Sequence, residues 1–175
     1  ALVDRYRAIV EPIGSRVVGN ATTAITRGGN DSGASALSNV VADAQYAATR
    51  ARITGGAQVA MVQRGVLRAD LEQGELTYEQ AYRVQPYGHR LVTMTLTGAQ
   101  LDEALEQQFC NPAATTPDQH VPLLVSGGFR YSWDDAAPCG ERVRPGDVLL
   151  RGEPITPTGT YRVTVNEFLA EGGER

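Results

Sequence analysis

The chain has 175 residues, enough for one domain with a real hydrophobic core and too few for two comfortable ones. Its 42% hydrophobic and 21% charged residues and the lack of any apolar run near the roughly eighteen residues of a membrane span lead us to expect a soluble globular domain. Net charge is -4, from 20 acidic and 16 basic residues, the latter all Arg, a balance that argues against general polyanion binding and so against nucleic acid as a partner.

The opening "ALVDRYRAIVEPIG" puts Leu2, Val3, Tyr6, Ile9 and Val10 at helical spacing, with Pro12 and Gly14 closing the helix. "SRVVGNATTAIT" carries Val17, Val18, Ala21 and Ile25 and predicts a strand or strand pair. A Gly-rich loop, "RGGNDSG", then runs into a helix with Asp31, Ser32 or Ser35 as candidate N-caps, and Leu37, Val40, Val41, Ala44 and Ala48 on one face. "GAQVAMVQRG" predicts a short strand from Gln58 to Val62, buried on both faces of an α/β sheet.

"GELTYEQAYRVQPYGHRLVTMTLTGAQLDEALEQQF" reads as a loop, a helix from Thr77 to about Arg83, a turn at "QPYGH" and a strand from Leu91 to Leu96. Thr97 with Gln100 forms a capping box for a helix whose ridge is Leu101, Leu105 and Phe109. "LLVSGGFRYSWD", "DVLLRGEPI" and "TYRVTV" are three strand candidates, and "NEFLAEGGER" leaves the last of them as a loop. The result is one mixed α/β (α+β) domain of layered helices and strands.

Cys110 and Cys139 flank a segment rich in Pro, Ala, Thr and Asp. That placement suits a disulfide pinning a long insertion in an oxidising compartment; two free thiols are the plainer alternative. No signal peptide opens the sequence, which therefore reads as a mature form or an excised fragment.

Metal catalysis finds no support: His89 and His120 are the only histidines, neither has a ligand-like partner nearby in sequence, and each reads as a surface residue. No G-x-S-x-G elbow, P-loop or complete G-x-G-x-x-G is present. What remains is a set of irregular segments at strand ends, "TRGGNDSG", "VQRGVLRAD", "QPYGHR" and "NEFLAEGGER", where α/β folds build ligand sites. Tyr87 and Phe168, each with glycine close by, are either ordinary core residues or two rings that clamp a flat ligand.

Read together, "ALSNVVADAQ", "RGVLRADL", "LTYEQAYRVQPYGHRLVTMTLTGAQLDEALEQQF" and "YRVTVNEFLAEGG" resemble the C-terminal domain of the 5'-nucleotidase and UDP-sugar hydrolase family, from about Val17 to the last residue. Residues 1–16 resemble the connector to that family's N-terminal metallophosphoesterase domain. The resemblance implies a division of labour: two divalent metal ions in the absent N-terminal domain hydrolyse the phosphate ester, while the present domain binds a nucleoside, nucleotide or nucleotide sugar. It implies no catalytic residue, metal or other cofactor in this chain, which alone is expected to be inactive, and a secreted or cell-surface bacterial location.

Carried over by position, the substrate contacts would be Arg27, Gln63, Gly65 and Arg68, the stacking rings Tyr87 and Phe168, and a polar contact Glu174. The sequence departs from the family pattern at Gln63, Arg64 and Val66, where Val66 replaces a glycine, and at Glu174, which replaces Asp. These changes motivate an alternative, a diverged module that kept the fold and lost nucleotide binding. A relative acting on cyclic nucleotides or 3'-nucleotides would show the same features. The sequence ends inside the last of these loops, as a truncation would.

Overall fold

A computed structural model describes residues 2–30, 32–110 and 121–173. Its centre is a four-stranded sheet in the order β4-β9-β2-β5, formed by β2 (Val59–Val62), β4 (Leu91–Thr97), β5 (Leu124–Val125) and β9 (Thr160–Asn166). β2 and β9 run parallel, and β4 and β5 flank them antiparallel. As the near-continuous apolar run predicts, every residue of β2 is buried. The pleat then divides its side chains between two cores: Val59 and Met61 join one, and Val62 joins the other.

One core lies beneath α4 (Gly98–Glu106), whose Leu101 and Leu105, with Phe109 just beyond, meet Val163 and Val165 of β9. Thr97 and Gln100 form the expected capping box at its start. The other core lies beneath α2 (Ala36–Thr49), capped by Ser35. The buried face of α2 differs from the one its apolar residues predict. Leu37 and Val41 are buried, but Ser38, Ala42, Gln45 and Thr49 complete the inner face, while Val40, Ala44 and Ala48 point outward. The hydroxyls can go inside because they bond within the helix, Ser38 Oγ to the Ser35 carbonyl and Thr49 Oγ1 to the Gln45 carbonyl.

"GELT", expected to be a loop, is strand β3 (Gly74–Thr77), paired antiparallel with β1 (Val17–Ala21) in a separate ribbon. Thr77 ends this strand and caps α3 (Tyr78–Val84), in a capping box with Gln80. Two of the late strand candidates are each broken by a Gly-containing turn. β5 is followed by β6 (Phe129–Arg130), and β7 (Leu149–Leu150) turns through Arg151 and Gly152 into β8 (Glu153–Pro154). Both turn residues have positive φ, 55° and 90°, as a two-residue hairpin of matching twist requires. The expected terminal loop opens with a short helix, α5 (Glu167–Ala170).

Helix α1 (Leu2–Gly14) contains Pro12 rather than ending at it, and buries none of its residues. It packs on α3, and an apolar groove lined by Leu2, Val3, Tyr6, Val10, Tyr78 and Tyr82 runs between them. A disulfide joins Cys110 and Cys139 with their Cα atoms 5.3 Å apart. The Cys139 loop is held further by the Glu106 carboxylate, which accepts backbone N–H bonds from Gly140, Arg142 and Val143 at 2.6–3.2 Å. No helix among the described residues is long and apolar enough to cross a membrane.

Candidate functional site

Because β2 and β9 are parallel, the segments that leave them at Val62 and Asn166 emerge at one edge of the sheet, and antiparallel β4 starts there at Leu91. That edge, outside the carboxyl ends of parallel strands, is where open α/β sheets build ligand sites. Backbone hydrogen bonds tie the three segments together. Arg68 N donates to the Val84 carbonyl at 2.9 Å, and Glu167 N to the Arg90 carbonyl at 2.9 Å. The side chains of Gln63 and Asn166 complete the triangle, with Asn166 Nδ2 donating to Gln63 Oε1 at 3.0 Å.

Gln63 is therefore a buried residue, 1% exposed, with its amide engaged by Asn166. Asn166 in turn caps α5, accepting from Leu169 N at 2.8 Å. Through these bonds Gln63 fixes the short helix that carries Phe168. Gly65 and Val66 lie in a 3-10 turn, Arg64–Val66, after Gln63. Val66 is buried at ordinary negative φ, so the turn accepts its branched side chain without backbone strain.

Arg27 braces the neighbouring loop. Its backbone N and Nε both donate to Asp70 Oδ1, at 2.8 and 3.0 Å, and Nη1 donates to the Arg68 carbonyl at 3.0 Å. The two bonds to Asp70, the backbone one foremost, hold its carboxyl below its ordinary pKa. Arg68 and Arg64 lie exposed on this loop. Asp70 is visible just beyond Arg68 in "RGVLRADL", but its pairing with Arg27, 43 residues away, carries no local sequence signal.

Tyr87 and Phe168 are not core residues: they are 48% and 41% exposed. His89, expected as a plain surface residue, stands in a row with them. Its imidazole lies 5.3 Å from the Tyr87 ring at 21° and 6.0 Å from the Phe168 ring at 15°. Gly88, at φ +65°, makes the left-handed turn between the first two rings. Gly173 closes over Phe168, where a Cβ would collide with the ring. A cleft of about 430 Å³ opens beside Tyr87 and His89, walled by α2 and α3. Glu174 and His120 lie outside the described residues, and among the described residues no group of three or more His, Cys, Asp or Glu side chains is placed to hold a metal ion.

The fold and this edge define a mixed α/β domain with exposed aromatic rings and arginines gathered at the carboxyl ends of parallel strands. Residues 17–175 match the family described as "5'-nucleotidase, C-terminal domain", and the chain belongs to that family. It is similar to the endonuclease YhcR of Bacillus subtilis, 31% identical over 97% of this chain and 13% of that protein. It is also similar to the cell wall protein Lmo0130 of Listeria monocytogenes, 34% identical over 80% of this chain and 18% of that one. Among solved structures, a 5'-nucleotidase precursor from Thermus thermophilus superposes with a TM-score of 0.78 at 29% identity, over 97% of this chain and 33% of its own. The chain thus spans a third or less of the length of these relatives.

Proposed function

We propose that this chain is the substrate-binding domain of a secreted or cell-surface 5'-nucleotidase-type phosphohydrolase, in which Tyr87 and Phe168 clamp the base of a nucleoside or nucleotide. The observation that carries the reading is the pair of exposed rings, brought from different segments to one sheet edge beside the braced Arg68 loop. Aromatic stacking is tolerant of base identity and contributes about 1–3 kcal/mol per base. Arg68 and Gly65 would meet the sugar or phosphate edge, and a guanidinium fork suits such oxygens. Arg27 and Gln63 act by holding the loops that carry these groups, and Glu174 supplies a further polar contact.

In this reading hydrolysis belongs to a separate N-terminal metallophosphoesterase domain with two divalent metal ions. Residues 1–16 connect to that domain, and this chain alone is inactive. The alternative of a module that lost nucleotide binding draws on Gln63 being buried and engaged and on the ring of His89 standing in the aromatic row. Titration of the chain with AMP, in parallel with Phe168→Ala, separates the two: binding lost in the variant supports the clamp, and no binding by folded wild type at millimolar AMP supports the diverged module.

A further inference from the structure

We propose that His89 sets the affinity of this site: in the unliganded protein its imidazole fills the stacking position, and a ligand ring must displace it. The inference rests on the nucleoside-site reading above and adds an internal competitor to it. His89 is near-parallel to both neighbours, at 5.3 Å from Tyr87 and 6.0 Å from Phe168, within the range of offset stacking between aromatic rings. Tyr87 and Phe168 come from different segments, joined through the sheet and the Glu167–Arg90 backbone bond. The imidazole is the ring that links them. Each contact it makes with a flanking ring is one that an incoming base has to replace, so the net gain on binding falls by that amount.

The displaced side chain has somewhere to go. His89 also lines the cleft of about 430 Å³ between α2 and α3, whose wall includes Val40, Ala44, Gln45, Ala81 and Gln85.

The test uses proton NMR and calorimetry on the chain with AMP. Only His89 and His120 contribute imidazole signals, and a His120→Ala variant assigns them. In free protein the His89 ring protons are expected upfield, under the currents of both neighbours, and AMP moves them toward solvent-like positions. His89→Ala, which removes the competitor, is expected to bind AMP about fivefold more tightly, the scale of one aromatic pair. His89→Phe, whose larger apolar ring gives up more on leaving, is expected to bind about fivefold more weakly. AMP that saturates wild type without moving the His89 signals overturns the inference and leaves the nucleoside reading intact, as does a His89→Ala variant that binds no more tightly. If neither wild type nor His89→Ala takes up AMP at millimolar concentration, the nucleoside reading itself fails and this inference falls with it.

Discussion

Replacing Asn166 with Leu tests whether the sheet edge is built as one unit. Asn166 is 3% exposed, caps α5 at Leu169 N, 2.8 Å away, and pairs with Gln63, 1% exposed. The substitution removes a cap contact, costing about 1 kcal/mol. It also strands a buried amide, costing about 1–3 kcal/mol more, so a total loss of about 2–4 kcal/mol is expected. Gln63→Leu leaves the cap in place and strands only Asn166, for about 1–3 kcal/mol. The double variant Gln63→Leu/Asn166→Leu removes both partners and keeps only the cap loss, so its cost should fall short of the sum of the singles by about 2–6 kcal/mol. Urea unfolding followed by circular dichroism reads all three, provided the denaturant slope is unchanged. Single losses that add to the double within about 0.5 kcal/mol would refute the claim that these amides form one energetic unit.

Reducing the Cys110–Cys139 bridge, with 29 residues of separation, should cost about 3.5 kcal/mol of loop-closure entropy and lower Tm by about 10 °C; a melting curve indifferent to dithiothreitol would contradict this. Glu106→Ala removes the acceptor for three backbone N–H groups of the Cys139 loop and should cost about 2–3 kcal/mol, with faster proteolysis near residue 140 as a second readout. The folded-state pKa of Asp70 lies below its ordinary value, so its contribution to stability is complete above the unfolded pKa and lost as pH falls through the lower folded one. Acid titration followed at the Arg27 amide should therefore show the brace intact at neutral pH and released only below about pH 4, and Asp70→Asn should abolish that acid step. Gly173→Ala should weaken AMP binding by displacing the Phe168 ring while changing urea stability by less than about 1 kcal/mol; unchanged affinity would argue against Phe168 as a clamp ring.

Much of the fold was legible because local chemistry and burial agreed. The apolar run of β2, the Thr97/Gln100 capping box and the Leu101, Leu105 and Phe109 ridge each signal an element through short-range pattern alone. β3 was not legible, because "GELT" becomes a strand only through β1, more than fifty residues earlier in the chain. The inner face of α2 was misread for a different reason: Ser38, Gln45 and Thr49 are polar by type, but the two hydroxyls bond within the helix and can be buried. At the candidate site the positions could be carried over by resemblance, whereas the couplings could not. That Gln63 meets Asn166, that Arg27 spends its guanidinium on the 68–70 loop, and that His89 joins two rings are all contacts between distant segments.

Calorimetric titration of this chain with adenosine, AMP and UDP-glucose, repeated with Phe168→Ala, tests the central claim most directly. Stacking and a few exposed hydrogen bonds leave a small surplus after association costs, so a Kd near millimolar, about -4 kcal/mol, is expected for wild type. Loss of one ring should remove about 1–3 kcal/mol and abolish detectable binding. A folded wild-type chain that gives no heat with any of the three at millimolar concentration, or a Phe168→Ala variant that binds as well as wild type, would contradict the account.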